Sequence, residues 1–202
     1  MIMICGHSQY LKLMPIKHMI RFEEKSTNID GIFTISKKII GDERGYLERL
    51  FCVNELSCWY NRPVVQVNKT YSEKKGTIRG FHFQKPPKAE AKYICCIKGK
   101  VSDFALDLRK TSKTFGKIFQ IELDANLHNA VILPEGVAHG FQTLTDNVEM
   151  LYFHSEFYQP EMESGVNILD TSLELDFKLP CSIISERDKK FKLLSEIEGL
   201  TL

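Results

Sequence analysis

Residues 79–83 read RGFHF, so that His82 stands between two phenylalanines and follows Gly80 and Arg79. A titratable ring in an apolar stretch is either a hydrogen-bonded strand histidine or a base held in a dry pocket. Imidazole suits the second task, because its unperturbed pKa of about 6.5 lies near working pH. Such a base needs a carboxylate to fix its tautomer and stabilise the imidazolium. It also needs a cation for a developing oxyanion and a proton donor for the return step. Asp188 in SERD, Lys92 at the head of KYICC and Tyr152 in MLYFHSEFY are of the right types. Each has a plain structural reading as well. Asp188 can dress a helix N-terminus, Lys92 can begin a solvated strand, and Tyr152 can fill a core.

A second stretch, PEGVAHGF (134–141), resembles the second signature of the cupin superfamily, whose histidine often binds a metal. The first cupin signature needs two histidines separated by one residue. Here the segment reads HFQKPPKAEAKY, with Gln84 in the second position. A metal site wants three or four N, O or S ligands, whereas His82 and His139 supply two. A barrel is therefore expected without a metal, which weakens a metal-dependent cupin oxygenase.

These groups must be positioned by strands. Short segments rich in β-branched and aromatic residues recur at 31–40, 64–72, 92–109, 116–124, 129–136, 138–144 and 148–158. They are divided by Gly, Pro and Asp-Asn punctuation. Gly99 in IKGKV predicts a hairpin turn, and TDN (145–147) another turn. Helical periodicity is confined to VNELSCWY (53–60) and SERDKKFKLLSEIE (185–198). The pattern predicts an all-β antiparallel sandwich or barrel, foremost a jelly roll, with a few short, mainly C-terminal helices. The PEGVAHGF resemblance implies a cupin-like jelly-roll barrel of antiparallel strands. Alternation puts Gly80, His82 and Gln84 on one face, and Arg79, Phe81 and Phe83 on the other.

Length and charge bound the function. The chain has 202 residues and a net charge of +1, with no run of more than three basic residues. It suits one domain, and a nucleic-acid or membrane-surface partner is not expected. The six cysteines form no CxxC pair. Cys95 and Cys96, being adjacent, should face opposite sides of a strand. All six read as small hydrophobes of a cytoplasmic protein. Residues 1–18 lack a signal-peptide core and are expected to be a disordered leader or to precede the true start. Residues 19–202 then form the single domain.

Seven ordered blocks carry a resemblance: GDERGYLERLF (41–51), QVN (66–68), GTIRGFHFQKPPKAEAKY (76–93), GKVSDFALDLRKTSKTFGK (99–117), LPEGVAHGFQTL (133–144), LYFHSEFYQPEMESG (151–165) and ISERD (184–188). Over roughly residues 28–195 the chain resembles the dTDP-4-dehydrorhamnose 3,5-epimerase family. The resemblance implies that His82 is the general base, Asp188 its carboxylate partner, Tyr152 the acid on the opposite sugar face, and Lys92 the enolate cation. It places Arg79, His139 and Arg187 near the substrate diphosphate, with Gln66 and Asn68 on the nucleotide and Tyr158 at a further binding position. Arg44 and Glu48 would reach the nucleotide site of a two-fold partner, making a homodimer. The implied substrate is a dTDP-linked 4-keto-6-deoxy sugar, epimerised at C3, C5 or both, with no cofactor. Ile40 stands where the family commonly has Phe, Phe81 where Leu is common, and ILDTS (168–172) where W-x-D-P is common. Ser164 replaces a frequent Arg. These departures leave the particular sugar open. The alternative is a non-catalytic sugar-nucleotide-binding cupin module.

Overall fold

The computed structural model describes residues 21–59 and 61–202, so the expected leader over residues 1–18 lies outside the described residues. The strands are β1 (Phe22–Ser26), β2 (Phe33–Lys37), β3 (Ile39–Asp42), β4 (Gly45–Glu48), β5 (Gln66–Ser72), β6 (Ile78–Gln84) and β7 (Lys92–Lys98). They continue with β8 (Lys100–Asp107), β9 (Ile118–Asp124), β10 (Asn129–Leu133), β11 (Val137–Thr143), β12 (Val148–His154) and β13 (Glu163–Gly165). A six-stranded sheet runs β1-β2-β10-β7-β12-β5, and a five-stranded sheet runs β13-β6-β11-β8-β9. Their strand pairs are antiparallel. This is the expected jelly roll. Gly99, at φ +76°, turns β7 into β8, and Asn147 at φ +56° lies in the 145–147 turn.

Alternation along each strand feeds different apolar clusters. On β7, Ile94 and Cys96 enter the core between the sheets, beside Val131, Phe141 and Met150. Tyr93 and Cys95 face the other way, against Leu56 and Trp59. The two adjacent cysteines thus serve two clusters, as expected. Antiparallel sheets often keep one face wet. Here the outer face of the six-stranded sheet is covered by residues 51–59. The outer face of the five-stranded sheet (Phe81, Phe104, Leu106) is covered by the C-terminal tail through Val166, Ile168, Leu194 and Ile197. Burying each large side chain of this kind contributes about 1.5–3 kcal/mol, which explains near-continuous apolar runs such as KYICCI.

The same burial overrides the helix expectations. Residues 185–198 form only a four-residue helix, α1 (Glu186–Lys189), and later a 3₁₀ turn at Leu194–Glu196. Between them the chain is drawn onto the sheet by a bridge from Lys192 to Val166. Burial of Leu194, Ile197 and Leu200 against the sheet outweighs helix propensity, which is a weak preference per residue. Residues 53–60 likewise hold only a 3₁₀ turn at Ser57–Trp59, pinned where the Glu24 carboxylate accepts from Ser57 and Cys58 amides. The expected strand over 31–40 divides into β2 and β3. β3 and β4 form a separate hairpin that exposes Ile39, Ile40, Tyr46 and Leu47.

One irregularity shapes the cavity. On β11, His139 pairs with His82 of β6, but Phe141 pairs with Arg79, so three steps on β6 oppose two on β11. This β-bulge brings Arg79 round to the face of His82, and both line the same cavity. The expectation from strict alternation, which separated them, is corrected. Gly80 sits at the bulge with φ +114°, and a Cβ there would lie 2.4 Å from Gly140 Cα and 2.7 Å from the His139 oxygen. Gly80→Ala is expected to destabilise the fold by at least the roughly 1–3 kcal/mol of an unfavourable backbone conformation. A denaturant midpoint equal to wild type would contradict this.

Candidate active site

A cavity of about 280 Å³ opens between the two sheets. The six-stranded sheet lines it with Gln66, Asn68 and Thr70 of β5, Lys92 of β7, and Tyr152 and His154 of β12. The five-stranded sheet contributes Arg79 and His82 of β6 and His139 of β11, while Tyr158, Glu163 and Arg187 close the rim. On β5 and β12 the inward side chains follow period-two alternation, whereas on β6 the bulge adds Arg79 to the side of His82.

His82 is held from behind. Its Nε2 lies 2.9 Å from Asp188 Oδ1, and the other Asp188 oxygen accepts the Gly80 amide at 3.1 Å. Ser185 caps α1, its hydroxyl accepting the Asp188 amide at 3.0 Å. Burial opposes ionisation of Asp188. The His82 hydrogen bond and charge, with the Gly80 and Ser185 contacts, outweigh it and hold the carboxyl at about 2. An ionised carboxylate only accepts, so the 2.9 Å contact with Asp188 assigns the ring proton of neutral His82 to Nε2 and the lone pair to Nδ1, although the Arg187 Nη2 donor also lies 3.1 Å from Nε2. The Phe191 ring edge packs on the imidazole at 5.8 Å. Asp188 thus supports His82 without itself lining the cavity.

Lys92 is buried, with its ammonium 3.1 Å from Glu90 and 3.4 Å from the His82 carbonyl. Tyr152 places its hydroxyl 3.3 Å from Thr70 Oγ1, and burial pushes its phenol well above the usual range. It is therefore protonated at neutral pH. His82 and Tyr152 come from opposite sheets and line the same cavity. Arg79 is aimed by hydrogen bonds to Ser72 Oγ and the Tyr71 carbonyl, both at 3.1 Å. Arg187 is held by Glu163, also at 3.1 Å. Tyr158 donates its hydroxyl to Glu163 at 2.8 Å, and its amide donates to Gln66. His139 sits over the fully buried Asp103 at 2.7 Å; burial raises the Asp103 carboxyl, with the His139 contact acting the other way.

Two expected residues lie elsewhere. Arg44 occupies the turn between β3 and β4, where it pairs with Asp42. Arg44 and Glu48 do not lie on one side of a single extended strand, because the chain reverses at Arg44. Glu48 pairs with the buried ammonium of Lys37 at 2.8 Å and lies 3.3 Å from His128. Sequence reasoning did not find Thr70, Glu90, His154 or Glu163 in the cavity. His154 had a signal, since it stands two residues after Tyr152 on one strand and so shares its face. Asp103 had none.

The metal expectation is sharpened by the donors. His82 and His139 each meet a carboxylate through Nε2. The Gln84 amide is spent on the Lys88 and Phe157 carbonyls and the Gln159 amide. Activity is expected to survive exhaustive dialysis against a chelator. Loss of turnover with metal content, restored by a divalent ion, would overturn that.

An antiparallel barrel holding a carboxylate-backed histidine opposite a buried tyrosine defines a class, cupin-like barrels equipped for proton transfer. The family model described as dTDP-4-dehydrorhamnose 3,5-epimerase matches residues 26–196. The enzyme of that name from Methanothermobacter thermautotrophicus is 36% identical over 186 residues, covering 88% of this chain and 97% of its own. A dTDP-4-dehydrorhamnose 3-epimerase from Streptomyces niveus is 35% identical over 170 residues, covering 83% and 82%. The crystal structure of the Bacillus anthracis 3,5-epimerase, with TDP and PPi bound, superposes with a TM-score of 0.82 at 34% identity. It covers 85% of this chain and 99% of that one. The chain belongs to the dTDP-4-dehydrorhamnose 3,5-epimerase family.

Proposed function

We propose that this protein epimerises a dTDP-linked 4-keto-6-deoxyhexose at C3, C5 or both, in deoxysugar biosynthesis. The 4-keto group acidifies the neighbouring C–H bonds. His82 removes a proton through Nδ1, and Asp188 stabilises the imidazolium that forms. The electron pair moves onto the keto oxygen, where the Lys92 ammonium stabilises the enolate. Tyr152 then delivers a proton to the other face, inverting the carbon. No electron or group leaves the sugar, so the reaction requires no cofactor. Arg79, His139 and Arg187 hold the diphosphate, Gln66 and Asn68 the nucleotide, and Tyr158 the rim of the site. The observation that carries the reading is the His82–Asp188 pair at 2.9 Å facing a cavity that Lys92 and Tyr152 share. Among the described residues no helix is long and apolar enough to cross a membrane. The unpaired cysteines of the described chain support a cytoplasmic enzyme.

The test is to incubate the protein with dTDP-4-keto-6-deoxyglucose in deuterated water and follow C3 and C5 by NMR. Deuterium entry with inversion is expected at one or both. Tight dTDP binding without exchange at either carbon would favour the non-catalytic binding module.

The proposal includes a homodimer whose β3–β4 hairpins cross between subunits, bringing Arg44 and Glu48 to the partner's nucleotide site. The exposed Ile39, Ile40, Tyr46 and Leu47 on that hairpin support it, since they offer an apolar face to a partner. Arg44→Ala/Glu48→Ala and Arg79→Ala/His82→Ala proteins are each expected to be inactive. Their heterodimers should regain up to about half of the wild-type sites, because each contains one site intact in both contributions. Confirmed heterodimers without activity would show that each chain builds its own site.

A further inference from the structure

Glu90 and His154, two buried groups of the cavity wall, have no part in the chemistry above. One Glu90 oxygen lies 3.1 Å from Lys92 Nζ and the other 2.8 Å from His154 Nδ1. The side chains of Lys92, Glu90 and His154 are only 9%, 8% and 10% exposed. Burial opposes the charge on Glu90, but Lys92 and His154 outweigh it and lower its carboxyl below the usual range. The ionised carboxylate only accepts, so His154 Nδ1 carries the proton. Its Nε2 then faces the Asn68 amide nitrogen at 3.4 Å, and a line of polar contacts runs Lys92–Glu90–His154–Asn68. The other hydrogen bond of the Lys92 ammonium, to the His82 carbonyl, is long at 3.4 Å. A lysine stem has many rotamers, and a cation serves a developing oxyanion best when its place is set beforehand.

We infer that Glu90 and His154 are positioning residues for Lys92: Glu90 anchors the ammonium where the enolate oxygen forms, and His154 locks Glu90 to the Asn68 wall. The inference rests on the epimerase reading and extends it to residues that the proposed chemistry leaves unused. Neither residue needs to touch the sugar. Both act through one atom, Lys92 Nζ, and the prediction is therefore a loss that appears in turnover and disappears when Lys92 is absent.

Glu90→Gln keeps the size of the side chain and removes its charge. It is expected to lower kcat about 10- to 100-fold, less than or comparable to the loss of an oxyanion-stabilising group or a misplacement of about 1 Å. KM should stay within about threefold, and dTDP affinity by calorimetry should match wild type. His154→Gln, which can still donate to Glu90, should retain more activity than His154→Leu, and this pair decides the matter if Glu90→Gln does not fold. In a Lys92→Met background, adding Glu90→Gln should change deuterium exchange by less than about twofold, because coupled residues are not additive. A folded Glu90→Gln protein with wild-type kcat would overturn the role. So would a loss confined to KM, full additivity with Lys92→Met, or equal activities of the two His154 variants. Absence of exchange in the wild-type protein would instead sink the epimerase reading, and this role with it.

Discussion

His82→Asn is expected to slow deuterium exchange at every acidic carbon of the sugar by about 10²–10⁴-fold, the range for loss of one positioned base. The amide fills most of the ring's space and can still face Asp188, so the fold should survive. It offers no lone pair basic enough to take a carbon-bound proton. Near-normal exchange in a folded His82→Asn protein would remove His82 from the mechanism. Asp188→Asn separates orientation from basicity. The carboxyl titrates at about 2, so it is charged throughout the working range, and the variant removes that charge at any neutral pH. Its contribution to stability has the sign of a depressed carboxyl. It is present above the ordinary value near 3.9 and lost as pH falls from there through about 2. The variant should fold and be slower by between about 10- and 10⁴-fold, the upper figure being the loss when a histidine base has its carboxylate neutralised. Wild-type turnover by Asp188→Asn would show that the 2.9 Å pair is structural.

The second large effect separates the two half-reactions. Tyr152→Phe removes the buried phenol that faces His82 from the opposite sheet. Burial keeps that phenol protonated, so its proton is available for donation. Inversion should fall by about 10²-fold or more, within the range for a general acid. Labilisation by His82 does not depend on Tyr152, and deuterium should still enter the uninverted sugar as His82 returns its proton to the same face. The measurement is the ratio of exchange to inversion by NMR. Inversion at the wild-type rate, or equal loss of exchange and inversion, would show that Tyr152 is not the separate donor. The ring of Tyr152 also packs beside His139 at 5.8 Å, and phenylalanine keeps that contact.

Local patterns determined much of this protein by themselves. Period-two alternation with turn residues was sufficient for an antiparallel barrel, for the turn at Gly99, and for the opposed faces of Cys95 and Cys96. Residue types made His82, Lys92, Tyr152 and Asp188 candidates, and the family resemblance of the ordered blocks gave them roles before any of them had a position. The turns and strand faces depend on interactions within a few residues, which a sequence states directly. Tertiary structure decided what depends on distant segments. The β6–β11 bulge that turns Arg79 to the side of His82 arises from pairing between segments distant in the chain, His82 with His139 and Arg79 with Phe141. The C-terminal tail gave up most of its helix because the outer face of the five-stranded sheet offered a larger gain in burial. The Glu90–His154 contact joins residues 64 apart. No local preference brings them together; only the adjacency of β7 and β12 in one sheet does.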